Sequence, residues 1–264
     1  MIRTLNARKT VYQDSFDFDP DALLYLTNSG ITNNDIRLNV NTFFLDIKAA
    51  GLYDKIKAGW LHSGDTYDKQ KLNIKNPIDS DSAYRLTNLN TGGISRFTDV
   101  NGTTEIQDTH FNMDNELDVS SCGATITSGG QFFSSEGSRI AFGAIQPSKR
   151  FSIIITTGSI GVFRISSQIV PTQPNGSGIF TAQSLNSLGT FFRDGVKLTS
   201  GTVTGDLPTF NCYLNALNNQ GVASNVDARR LQTCLIHEAL TDAETVDLHL
   251  IIDTFEASLN RKTW

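Results

Sequence analysis

The feature that most constrains this chain is a rhythm. From about Leu72 onward, short stretches rich in Thr, Ile, Val and Phe are separated by Asn, Gly and Pro, at intervals of about 8–12 residues. Such a chain folds as a sandwich or barrel of antiparallel strands. The candidate strands are "KLNIKNP", "AYRLTNL", "GISRFTDV", "TTEIQDT", "SQIV" and "GIFTAQSL". The strongest pair lies in "RFSIIITTGSIGVFRIS": Phe151, Ile153 and Ile155 alternate, Gly158 and Ser159 offer a turn, and Ile160 and Val162 return. "TFFRDGVKLTSG" repeats the theme around an Asp-Gly turn.

Helical segments frame this β-rich body. In "DFDPDALLYLTNSG", Asp19 caps, Pro20 suits the first helical position, Asp21 suits the positive end and Gly30 terminates. Thr32 and Asp35 then resemble a capping box ahead of Ile36, Val40, Phe43, Phe44 and Ile47, which form one buried stripe. Lys48 sits near the negative end, and Gly51 suits a left-handed cap. Leu52, Ile56 and Trp60 predict a second, shorter helix. Later, "RRLQTCLIHEAL" reads as a strand leading into the helix "TDAETVDLHLIIDTFEASLN". There Thr241 and Glu244 form a capping box, Leu248, Ile251, Ile252, Phe255 and Leu259 make a stripe, and Arg261 and Lys262 close the negative end. Helices apolar on one side must lie against something, and the sheet is the nearest candidate.

Composition removes several function classes. The 264 residues carry a formal net charge of −5 and no basic block, so the electrostatic footprint of a nucleic-acid binder is missing. No apolar run approaches the roughly 18 residues that a membrane helix needs, and no apolar leader core follows the first cations, which points to folding in a reducing cytosol. Cys122, Cys212 and Cys234 are far apart and form no CxxC pair, so they read as small buried side chains.

Catalytic chemistry is not evident. Glu116 and Asp118 in "DNELD" stand two apart, as a glycosidase pair on a strand would, but the spacing also suits a solvated edge or loop. His62, His110, His237 and His249 are scattered, and none forms a helical metal pair. His249 lies off the apolar stripe of its helix and is expected to be solvated. Asp99, Asn101, Glu105 and Asp108 offer hard oxygen ligands for calcium, yet they lack the spacing of an EF-hand loop, and a turn with Asn-Gly at its tip is the plainer reading. Trp60, Tyr67, Tyr84 and Trp264 are aromatics of the type that glycan sites use, with core packing as the plainer role. Phe132 and Phe133 suit either the core or a subunit interface. No cofactor, no catalytic residue and no metal site is expected.

Two blocks of sequence resemble known families. "RDGVKL", "LQTCLIHEAL" and "LTDAE" resemble the last part of concanavalin A-like, laminin-G-like jelly rolls. Gly30, Ile31, Thr32, Asp46, Lys48, Gly51, Leu52 and Lys55, followed by Lys71, Leu72, Asn73, Lys75, Pro77, Asp79, Asp81, Ala83, Arg85 and Leu86, resemble the start of a group of bacteriophage and prophage virion proteins. The two blocks reach from about residue 20 to 262, with a divergent middle. The resemblance implies a mainly β fold: a concanavalin A-like β-sandwich, or jelly roll, with an N-terminal helical lead-in and a C-terminal helix. It divides the chain into an attachment arm at 1–18, a helical adaptor at 19–66 and the jelly roll at 67–264. It implies a non-enzymatic structural protein of a tailed-phage virion, a fibre or decoration of head or tail. Its partners would be other capsid or tail proteins and copies of itself, with a trimer favoured. A lectin-like module for host surface glycan is the alternative, and a glycoside hydrolase comes third. Arg3, Arg8, Lys9 and Tyr12 are the virion-attachment candidates, their cations suited to an acidic socket.

Overall fold

The computed structural model describes residues 18–89, 98–99, 102–129, 139–156, 160–165, 167–169, 176–227, 229–262 and 264. The attachment candidates, Phe132 with Phe133, the Gly158–Ser159 turn and Asn101 lie outside these residues.

Numbered along the chain, the first sheet holds β1 (Ile56–Trp60), β3 (Thr98–Asp99), β4 (Gly102–Thr103), β6 (Ser121–Gly129), β11 (Gly178–Leu185), β12 (Leu188–Arg193), β13 (Val196–Thr202) and β17 (Arg230–His237). Its order is β13-β12-β11-β6-β17-β4-β3, with β1 also on β17. The second sheet holds β2 (Thr87–Asn88), β5 (Gln107–Asn112), β7 (Arg139–Gln146), β8 (Lys149–Thr156), β9 (Ile160–Ile165), β10 (Ser167–Ile169), β14 (Asn211–Leu214), β15 (Leu217–Asn219) and β16 (Val222–Ser224). Its main path is β10-β9-β8-β7-β14-β5-β2, and β15, on β7, carries β16. The sheets face each other as a jelly-roll β-sandwich. Trp60, Phe111, Ile126, Phe142, Phe151, Phe180, Phe191 and Ile236 interdigitate between them.

The outer face of the first sheet is covered by a third layer of helices. These are α1 (Pro20–Ser29), α2 (Asn34–Ala49) and α5 (Asp242–Ser258), while α3 (Tyr67–Gln70) and α4 (Met113–Glu116) are single turns in loops. Tyr25, Phe43, Phe44, Ile47, Leu248, Ile252 and Phe255 pack with Ile179 and Leu235 of the sheet in a separate apolar cluster. The expected mainly β sandwich, its helical lead-in and its last helix are therefore all present.

Local signals explain most of these elements. Asp19 caps α1 through the Asp21 and Ala22 amides, with Pro20 at the start and Gly30 left-handed at the end. Thr241 and Glu244 form the expected capping box of α5. Asp194 and Gly195, at φ 48 and 79, make the β12–β13 turn in the doubly left-handed form that hairpin twist prefers.

Three expectations fail. The cap of α2 is Asn33, whose Oδ1 takes the Asp35 and Ile36 amides, and not Thr32. Leu52, Ile56 and Trp60 belong to no second helix: a 3-10 turn at Tyr53–Lys55 leads into β1, which pairs with β17. An open sheet edge offers that segment more hydrogen bonds than a one-turn helix can. "KLNIKNP" is not a strand either; it folds into a turn closed by an Asn73–Asn76 bridge.

Candidate functional site

Two polar networks stand out among the described residues. One is a buried seam between the first sheet and α5, and the other is a joint where the helical lead-in meets the sandwich.

The seam arises from strict alternation. In β6, Cys122, Ala124 and Ile126 enter the sandwich core, so Gly123, Thr125 and Thr127 face the helices. Likewise Thr181 and Gln183 of β11, with Thr233 and His237 of β17, are buried beneath the helical layer. A Cβ at Gly123 would sit 2.6 Å from the His237 ring, so glycine makes the space that this imidazole fills.

Burial pushes the imidazoles down, His237 to about 4 and His249 to about 3, so both are neutral near pH 7. A neutral imidazole donates once and accepts once, which fixes every direction in the chain of bonds. The Gly195 amide donates to His249 Nδ1 at 2.7 Å, so the His249 Nε2–H donates to Thr181 Oγ1 at 2.7 Å. His237 Nδ1–H must donate to the Glu238 carbonyl at 2.7 Å, so its Nε2 accepts from Thr125 at 2.9 Å. Thr181 therefore donates to Thr125 at 2.6 Å. The result is one directed line across α5, β11, β6 and β17. His249 is only 2% exposed, which corrects its expected solvation. The apolar stripe misled because the sheet beneath this part of α5 is itself polar.

A buried ion pair extends the seam. Arg261 and Glu256 are both fully buried and meet at 2.5 Å. Arg261 also donates to the Leu61 and His62 carbonyls at 2.7 Å each, and Glu256 accepts from Thr233 at 2.6 Å. Arg261 lies just past the end of α5 and is buried there. It fastens α5 and β17 to the segment after β1. His62 donates from Nδ1 to the Gln232 carbonyl at 3.0 Å, and burial lowers it to about 4.

The joint is built by the segment from Lys71 to Arg85 with the helical lead-in. Asn73 Oδ1 accepts from the Gly59 and Lys75 amides at 2.9 and 3.1 Å, and its Nδ2 donates to the Ala83 carbonyl at 3.1 Å. Lys71 meets Asp68 at 3.0 Å and Asp79 at 2.8 Å, while Arg85 reaches Asp79 and Asp81 at 2.8 Å each. The Lys71 and Arg85 charges hold Asp79 below the usual carboxylate range. Lys75 donates to the Tyr53 carbonyl at 2.9 Å and lies 3.4 Å from the Tyr53 ring centroid. Asn28 of α1 donates to the Pro77 carbonyl at 3.0 Å. Lys48 binds Asp19 at 2.8 Å and Asp21 at 2.5 Å, and Lys55 binds Glu244 at 2.6 Å.

The other candidates are dispersed. Glu116 accepts from the Tyr84 hydroxyl, and Asp118 is held low by the hydroxyl and amide of Ser120. Asp108 accepts from the His110 amide at 2.8 Å and from Asn211 at 3.4 Å. Among the described residues no three His, Cys, Asp or Glu side chains cluster as a metal site would require. All three cysteines are buried and unbridged. Trp60 is fully buried and donates to the Tyr84 carbonyl, so it is a core residue. No described helix is long and apolar enough to cross a membrane.

No protein-family profile and no curated protein sequence matches the chain. Several solved structures are similar in shape. Domain 4 of AbnA, an extracellular arabinanase from Geobacillus stearothermophilus solved with arabinotriose, is 13% identical over 74% of this chain and 98% of that one, at a TM-score of 0.49. The CBM40 of the Ruminococcus gnavus IT-sialidase, bound to α2,3 sialyllactose, is 11% identical over 62% and 95%, at a TM-score of 0.42. The NanB sialidase of Streptococcus pneumoniae is 15% identical over 59% of this chain at a TM-score of 0.42, and the chain spans only 27% of its length.

Proposed function

We propose that this chain is a non-enzymatic structural subunit of a tailed-phage particle. It would be a fibre or decoration protein whose lead-in region attaches it and whose sandwich is displayed. The observation that carries this reading is the use made of the virion-like block. Lys71, Asn73, Lys75, Asp79, Asp81 and Arg85 tie one another, β1 and the turn before it together, and Asn28 of α1 binds the Pro77 carbonyl of the same loop. Catalytic signatures converge on a cleft where a reacting atom can sit. These residues converge on a mechanical joint instead, which is what a displayed domain on an attachment segment requires. The resemblance adds self-association, with a trimer favoured.

Immunogold labelling and mass spectrometry of purified particles test the reading, and absence of the chain from intact particles would refute it. The non-enzymatic part is tested on a polysaccharide panel. Turnover that disappears in Glu116→Gln or Asp118→Asn would overturn it.

A compatible second reading is recognition of a host surface glycan. A cavity of about 290 Å³ at the β11–β12 hairpin has apolar walls from Leu185, Leu188 and Leu240. Asn186, Thr190, Lys197 and Asp242 line it as well. Apolar walls with a few convergent polar groups are the general form of a small-ligand site. Glycan-array binding that is lost in Leu188→Asp supports this reading; a blank array removes it.

A further inference from the structure

The cavity at the β11–β12 hairpin holds a hydroxyl that the fold leaves unused. Gln183 stands opposite Thr190, and Leu185 opposite Leu188, across the two strands. Alternation puts all four on the outer face of the sheet. Gln183 is spent on the start of α5. Its amide nitrogen donates to the Leu240 carbonyl at 2.9 Å and to Thr245 Oγ1 at 3.2 Å, and its oxygen accepts from the Leu240 amide at 2.9 Å. Past that point the helix no longer covers the hairpin, and Leu185 and Leu188 stay 37% and 46% exposed. Thr190, in contrast, is 5% exposed, lines the cavity, and its hydroxyl has no hydrogen-bond partner among the described residues. A hydroxyl both donates and accepts, and leaving one buried and unpaired is unfavourable. The rim of the cavity is fixed as well: the Asn186 amide donates to the Ser120 carbonyl at 2.7 Å, and the Val203 amide to the Ser187 carbonyl at 2.9 Å.

The charges at the cavity say what can enter it. Lys197 and Asp242 are the charged residues of its lining, and they meet at 3.0 Å. The pair is neutral overall. A ligand carboxylate would gain Lys197 only by facing the Asp242 carboxylate, and a ligand cation meets the reverse. A hydroxyl meets no such penalty, since it donates to Asp242 and accepts from Lys197. We propose that this cavity takes one neutral sugar ring, with hydroxyls on Thr190, Lys197 and Asp242 and its C–H face against Leu185, Leu188 and Leu240. The volume of about 290 Å³ is at the lower end for ligand sites, which suits a single ring and not an extended chain. The fixed rim spares the cost of ordering a loop on binding. The proposal rests on the glycan reading of this cavity and narrows it to a neutral terminal residue.

The test is ligand-observed saturation-transfer NMR on the full chain. The probes are the methyl glycosides of glucose, galactose, mannose, fucose and N-acetylglucosamine, with glucuronic acid and N-acetylneuraminic acid as acidic counterparts. Binding of at least one neutral glycoside is expected, with the acids silent. Thr190→Val keeps the shape and removes the hydroxyl. It should weaken that glycoside about five- to tenfold and leave the urea midpoint no lower, because the fold does not use the group. Asp242→Asn should admit the acids, since Lys197 is then free to meet them. No sugar bound at all would remove the glycan reading and this inference with it. Three results would overturn the inference and leave the glycan reading standing: acids bound in preference to neutral sugars, neutral binding indifferent to Thr190→Val, or a lowered urea midpoint in that variant. Acids still silent with Asp242→Asn would count against it too.

Discussion

The two faces of the first sheet are built to opposite rules. Toward the second sheet, Cys122, Ala124, Ile126, Phe180, Ala182, Cys234 and Ile236 form an apolar core. Toward the helices, the same strands present Thr125, Thr127, Thr181, Gln183, Thr233 and His237, all buried and hydrogen-bonded. Apolar contact is non-directional, so the core face says that the sheets should meet without dictating one alignment. The polar face is directional, because its hydrogen bonds need particular donors opposite particular acceptors. The sandwich is held by area; the helical layer has an apolar cluster of its own and is in addition held in register.

The sharpest way to break this comparison is to strip one charge from the seam. Glu256→Ala leaves the Arg261 guanidinium buried and unpaired and is expected to cost about 3–5 kcal/mol in urea unfolding. Replacing Glu256 and Arg261 together by Met should recover part of that loss. A single variant costing under about 1 kcal/mol would show that the seam is dispensable.

Acid probes the same face. His62 and His237 fall to about 4 and His249 to about 3 in the fold, from 6.5. As pH drops below 6.5 the unfolded chain takes up protons that the native chain refuses. Each histidine then removes about 1.4 kcal/mol of stability per pH unit until its folded pKa is reached. Denaturation curves at pH 7, 6 and 5 should show midpoints moving steadily down, and His249→Gln should flatten the slope. A flat profile over that range would contradict the neutral, sealed seam.

A smaller test compares neighbours on one strand. Thr125→Val leaves His237 Nε2 without its donor and is expected to cost about 1–3 kcal/mol. Ile126→Val on the core face should cost about 0.5–1.5 kcal/mol. If the isoleucine change proves the costlier, the two faces do not differ as described. The smallest effect belongs to the joint: Lys71→Met should cost no more than about 1 kcal/mol, since Asp79 and Asp68 are exposed partners.

Legibility in the sequence followed the range of the deciding interaction. The caps of α1 and α5, the Asp194–Gly195 turn and the span of β11 rest on neighbours a few residues away, and the sequence displays them. β1 does not, because Leu52, Ile56 and Trp60 fit a helical spacing and only the distant β17 edge makes Ile56–Trp60 a strand. His249 was misplaced for the same reason: its partners are Thr181 and Gly195. The joint was not legible either, since Asn73 reaches Gly59 and Ala83 only after the turn has formed.

The pairing of β1 with β17 also sets an order in time. Ile56–Trp60 is made early, yet its partner Cys234–His237 lies far along the chain. On the ribosome that edge must wait, with Trp60 uncovered, while most of the polypeptide emerges. Contacts between such distant segments fold slowly and leave hydrophobic surface open meanwhile. Stalled nascent chains ending before Arg230 should therefore recruit holding chaperones. Release should follow only once the last strand and α5 have cleared the exit tunnel.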